Sequence, residues 1–121
     1  MVEQAVGGVQ SVYDLIRREL GGVSVIDREN PEGSTVSTTS VLLLRARSSR
    51  VGFVFINLSA NVMFIRPARA AATTAGIRLG PNGGQAAVWW KEDFLLPARE
   101  WNVIADAGVN NQFYVLELVL G

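Results

Sequence analysis

The chain has 121 residues, of which 49% are hydrophobic and 18% charged, and its eleven basic and eleven acidic side chains leave a formal net charge of zero. Length and composition point to one folded domain rather than a disordered chain, and no apolar run reaches the ~18–20 residues of a membrane-spanning helix. Cysteine and histidine are both absent, which removes disulfides, the usual zinc sites and the usual thiol and imidazole catalysts.

The helix comes first. Ser11 followed by Asp14 resembles a capping box with a short acid, and Val12, Leu15, Ile16 and Leu20 fall at helical spacing behind it. Arg17 and Arg18 lie where cations favour a helix end, and Gly21-Gly22 stops the run. These signals predict a short amphipathic helix over residues 10–20, followed by a brief strand at 23–26. "DRENPEGS", residues 27–34, is polar with Pro and Gly and reads as a loop or linker. Residues 1–34 are therefore expected to form an N-terminal arm or helix plus linker, with the β-sandwich domain spanning 35–121; the helix either folds back to cap its own sheet or extends to dock on a neighbouring chain. The opening Met-Val-Glu-Gln lacks the basic and hydrophobic blocks of a secretory signal, so none is expected.

From residue 35 the pattern is β. "TVSTTSVLLLRARSS" is long enough for one long or two short strands. Residues 51–58 and 62–66 are strands, and "NLSAN" between them reads as a hairpin turn. "ARAAATTAG" is a small, flexible crossing segment. "GIRL" is a short strand, "GPNGG" a tight turn, and "QAAVWW" a strand broken by "KED". In "EWNVIADA", Trp101, Val103 and Ala105 share one side, with Asn102, Ile104 and Asp106 on the other. "GVNN" turns the chain into the last strand, "QFYVLELVL", whose single charge is Glu117. Seven or eight short strands with turns every 8–12 residues predict a mainly β fold with a short N-terminal helix. The fold is expected to be an antiparallel β-sandwich or a jelly-roll-like small barrel.

Two strands are apolar on both faces. In the first, Val51, Phe53 and Phe55 oppose Val54, Ile56 and Leu58; in the last, Phe113, Val115, Glu117 and Val119 oppose Tyr114, Leu116, Leu118 and Leu120. One face packs on the second sheet. Leaving the other in water forgoes roughly 1.5–3 kcal/mol for each large side chain, and a short helix cannot cover it all. A homo-oligomer is the expectation. The candidate partner-binding side chains are Leu15 and Ile16 on the helix, Phe53, Phe55 and Ile56 on the first of these strands, Trp90, and Tyr114 and Leu116 on the last.

Catalytic and cofactor readings find little support. "LGPNGG" lacks the spacing of a phosphate-binding glycine loop. Glu92 and Asp93 are adjacent and would point to opposite faces of a strand, and nothing places Glu100 beside Asp106. No catalytic residue, metal site or cofactor is expected, and the chain is not expected to be an enzyme. Trp89 and Trp90 would also face opposite ways, one in the core and the other exposed or at an interface. Tryptophan also stacks on sugars, which keeps a glycan-binding module open. All the basic residues but Lys91 are Arg, whose planar fork suits interfaces, though a GC-rich genome produces the same bias. Zero net charge speaks against nucleic acid as a partner.

The succession "RVGFVFINLSANVMFIRP", "TTAGIRLGPNGGQAAV", "EDFLLPAREWNVIADAG" and "FYVLELVL" resembles the decoration (cement) and head accessory proteins of tailed-bacteriophage virions. The likeness is one of cadence and covers a little over half of the chain, leaving out residues 1–34. It implies a structural capsid protein that binds and stabilises the lattice of the major capsid protein, commonly as a homotrimer. Such a protein is made in the bacterial cytoplasm and resides on the virion surface, without nucleic acid or membrane as a partner. The alternative is a tail or spike accessory module that binds a host glycan or another tail protein.

Overall fold

A computed structural model describes residues 24–121, together with Leu15 and Arg18. Among the described residues nine strands follow in order: β1 (Val25–Glu29), β2 (Thr35–Val36), β3 (Val41–Leu44), β4 (Arg50–Asn57), β5 (Met63–Pro67), β6 (Ile77–Leu79), β7 (Gln85–Trp89), β8 (Trp101–Ala105) and β9 (Asn111–Leu120). Between β7 and β8 lie one α-helical turn, Trp90–Asp93, and one 3-10 turn, Leu96–Ala98. One sheet has the order β1-β9-β4-β7, with β2 also paired to β9; the other has the order β3-β8-β5-β6. Every pairing between strands is antiparallel. The fold is an antiparallel β-sandwich, and the two sheets do not join into a closed barrel.

The core is built by period-two alternation. Phe53 and Phe55 of β4, Phe113 and Val115 of β9 and Val88 of β7 point inward from the first sheet. Leu43, Leu44, Met63, Ile65, Leu79, Trp101, Val103 and Ala105 meet them from the second. Phe53 packs edge-on to Trp101 at 5.1 Å between ring centroids, and Phe55 lies 5.3 Å from Phe113. Each such aromatic pair is worth roughly 0.5–1.5 kcal/mol beyond its area. The expected division of 51/53/55 from 54/56/58, and of 101/103/105 from their neighbours, holds.

The connection between β4 and β5 is not a hairpin. β4 pairs with β7 and β9, whereas β5 pairs with β6 and β8, so residues 57–61 carry the chain from one sheet to the other. The fully buried Asn57 ties this arch. Its amide nitrogen donates to the carbonyls of Asn61 (2.7 Å), Leu79 (3.1 Å) and Gly80 (3.0 Å). Its Oδ1 accepts from the Ser59 amide (2.9 Å) and hydroxyl (2.8 Å). Turn formers suit a hairpin and an arch equally; the partners that decide between them lie more than twenty residues away.

The sandwich also begins earlier than residue 35. β1 lies within the segment read as an arm and pairs with β9 from Val25↔Leu120 to Glu29↔Leu116. Asn30, at φ 44°, then clasps Val115: its amide donates to the Val115 carbonyl (2.8 Å) and its Oδ1 accepts the Val115 amide (2.9 Å). A polar edge strand has the composition of a loop, because charge on an edge is tolerated and discourages sheet-to-sheet pairing. Of the expected helix over 10–20, Leu15 and Arg18 are helical and exposed; the remainder, including Ile16, lies outside the described residues.

Candidate interaction surfaces

The outer face of the first sheet carries an apolar strip. Tyr114, Leu116, Leu118 and Leu120 of β9 lie beside Val54 and Ile56 of β4, in the register Ile56↔Tyr114, Val54↔Leu116 and Gly52↔Leu118. All six are half-buried, unlike the sealed inner face. On the other flank of β4, Gly52 is paired with Trp89. A Cβ at position 52 would stand 2.7 Å from Trp89 Cε3, so glycine here is what lets the indole lie against the sheet. β1 adds an acidic border, with Asp27 opposite Leu118 and Glu29 opposite Leu116. The Tyr114 hydroxyl donates to Glu29 Oε2 at 2.7 Å. That bond, together with the negative charge of Glu29 and Asp27, raises the phenol above its ordinary value of 10.0.

A second surface is the tip between β7 and β8. Phe94 is 82% and Leu95 71% exposed, and both Trp90 and Leu96 are exposed beside them. The Phe94 amide donates to the Trp90 carbonyl at 3.1 Å, which closes the helical turn and holds Phe94 at φ 57°, ψ −116°. An L-residue rarely adopts that backbone conformation. The tip is nevertheless firmly rooted. Pro97 is fully buried, Trp101 Nε1 donates to the Leu96 carbonyl at 2.8 Å, and Arg50 Nη1 donates to the carbonyls of Pro97 (3.0 Å) and Arg99 (3.1 Å).

Arg50 also joins this root to the sandwich. Its Nε donates to Glu117 Oε1 at 2.7 Å, with both side chains buried, and Nη2 donates to the Arg45 carbonyl. Arg28 Nε lies 3.5 Å from Glu117 Oε2, and Arg47 Nε 4.0 Å from Oε1. That Glu117 shares a face with Phe113 and Val115 was legible from parity; that this face points inward was not. Arg50, adjacent to a run of surface arginines, carried no signal of burial.

Two adjoining shallow grooves, of about 350 and 550 Å3, run beneath the tip and share Ala68 and Arg99. Arg66 and Arg69 line one, Arg47 and Glu100 the other. Glu100 accepts a bond from Asn102 Nδ2 at 3.1 Å. Among the described residues, the guanidinium groups of Arg69 and Arg99 have no ion-pair partner.

The sequence-predicted partner residues separate accordingly. Ile56, Tyr114 and Leu116 come together on the outer face, Trp90 stands at the tip, and Leu15 is exposed. Phe53 and Phe55 are corrections: they are spent on the inter-sheet core, at 1% and 0% exposure, and present nothing to a partner. Phe94 and Leu95 were missed, because an apolar triplet ahead of Pro97 carries no signal of exposure. Neither Trp89 nor Trp90 enters the core, and the Lys91 ammonium sits 5.6 Å from the Trp90 ring centroid, occupying one face on which a sugar would stack.

The carboxylates do not assemble into a catalytic pair. Asp93 Oδ2 accepts the Trp89 amide at 2.9 Å, and Glu100 and Asp106 flank opposite ends of β8. Among the described residues no cluster of acidic side chains could hold a metal ion, and no helix is long and apolar enough to cross a membrane.

No family model and no curated protein matches the sequence. Among solved structures, the chain is similar to the Tobacco streak virus coat protein dimer, with a TM-score of 0.42 at 8% identity over 79% of this chain and 84% of that one. It is also similar to the same virus's coat protein in a C2 crystal form, with a TM-score of 0.36 at 6% identity over 79% and 85%. At this depth the likeness concerns the course of the strands alone.

Proposed function

We propose that this chain is a structural virion protein of a tailed phage: a decoration protein that self-associates, as a trimer, and binds the lattice of the major capsid protein. The observation that carries the reading is the apolar strip of Val54, Ile56, Tyr114, Leu116, Leu118 and Leu120 on the outer face of the first sheet. A sandwich needs one apolar face per sheet; this sheet has two. The resemblance of residues 50–118 to decoration proteins supplies the capsid. Binding that favours the assembled shell over its separated subunits stabilises the shell by mass action, and it requires no chemistry from the bound protein.

Light scattering on the purified chain and co-sedimentation with empty phage capsids test the reading. Assembly into trimers and saturable binding to capsids are expected. Ile56→Glu should dissociate the chains while each remains folded, whereas Phe55→Glu, in the core, should unfold them. A protein that stays monomeric at high concentration and does not sediment with capsids would refute the proposal.

A further inference from the structure

The two surfaces are complementary to one another. The outer face pairs an apolar strip with the acidic border of Asp27 and Glu29; the tip pairs exposed Phe94 and Leu95 with the arginines of the groove below, Arg69 and Arg99. The tip turn carries Lys91, Glu92 and Asp93, but the grooves below it set Arg47, Arg66, Arg69 and Arg99 against Glu100, so this surface is basic in balance while the border of the outer face is acidic. We infer that the outer face and β1 edge of one copy dock on the tip and arginine groove of the next, in a head-to-tail contact. This rests on the self-association in the preceding reading and specifies its geometry.

The argument is one of charge and symmetry. An isologous contact of outer face on outer face would offer Asp27 and Glu29 no basic side chain, because the outward residues of β4, β7 and β9 are uncharged. A heterologous contact sets Arg forks against carboxylates and buries Phe94 and Leu95 against aliphatic side chains. Such a contact has a direction, and it closes into a ring when the rotation per copy allows, which is how a trimer would arise. Arg66, Arg47 and Glu100 also face the grooves, and the single acid leaves the balance positive. Nucleic acid would also favour arginines but offers nothing to the aliphatic floor of Ala68, Leu95 and Leu96.

Charge reversal tests this. Asp27, Glu29, Arg69 and Arg99 are all exposed, so Asp27→Arg with Glu29→Arg, and separately Arg69→Glu with Arg99→Glu, should leave the fold intact by circular dichroism. Each pair should raise the concentration for half-assembly, read by sedimentation velocity, by about tenfold or more, since like charges then meet. The variant carrying all four reversals should recover wild-type assembly. Wild-type association of both double variants, or failure of the fourfold variant to recover, would overturn the proposal. Binding of a single-stranded oligo-dT probe that is abolished by Arg69→Glu with Arg99→Glu, with assembly unchanged, would assign the groove to nucleic acid instead. Capsid co-sedimentation separates the two claims: if the wild type binds shells and the reversal variants assemble as it does, the function stands and this contact falls.

Discussion

Arg50 and Glu117, 67 residues apart in the chain, meet at 2.7 Å inside the sandwich and fasten β4 to β9. The same guanidinium holds the carbonyls of Pro97 and Arg99, so one side chain serves the sheet and the root of the exposed tip. Breaking a buried pair by removing one partner strands the other charge. Glu117→Ala should therefore cost about 3–5 kcal/mol in urea unfolding. A loss below 1 kcal/mol would mean that water and the carbonyls of Arg45, Pro97 and Arg99 suffice to hold the Arg50 guanidinium.

Gly52 and Trp89 make a prediction on the opposite face. A methyl group at position 52 would also lie 3.0 Å from the Val88 carbonyl, so the indole must lift away. Gly52→Ala should destabilise the fold by about 1–3 kcal/mol and shift tryptophan emission. An unchanged spectrum would show that Trp89 does not rest there in solution.

The Tyr114–Glu29 bond predicts an alkaline signature. The protein has two tyrosines, and absorbance titration should show a phenol ionising above 10.0. Its folded value is raised, so the stability it lends is complete below the unfolded value and is lost as pH climbs through the folded one. Glu29→Gln should move this step downward; a step that stays in place would exclude Glu29 as its cause.

Phe94 is held in a backbone conformation natural to glycine. Phe94→Gly relieves strain of roughly 1–3 kcal/mol while adding up to about 1 kcal/mol of unfolded-chain entropy, for a net stabilisation of about 1 kcal/mol. In the head-to-tail arrangement the same change should weaken self-association. A variant that is stabilised and assembles as well as wild type would show that Phe94 is dispensable to the contact.

Alternation is a local property, and the sequence by itself determined what depends on it. The strands fall where β-branched and aromatic runs meet turn residues, and the two faces of β4, β8 and β9 divide as parity requires. Surplus apolar surface was legible in the same way, since Ile56, Tyr114 and Leu116 share a parity opposite to that of the core. Which of the two apolar faces would be buried was not legible: Phe53 and Phe55 looked equivalent to Val54 and Ile56 until the second sheet was in place.

Only the tertiary structure decided the connections. The chain at Asn57 makes an arch and not a hairpin because its amide finds the carbonyls of Leu79 and Gly80 at the end of β6; β1 is a strand because β9 leaves an edge for it; Arg50 is buried because Glu117 awaits it. Each outcome depends on partners far away in the chain, and no window of sequence contains both members of the pair. The tip belongs to the same class. Phe94-Leu95-Leu96 has the composition of a core segment and becomes surface only because Pro97 and Trp101 fill the end of the sandwich first.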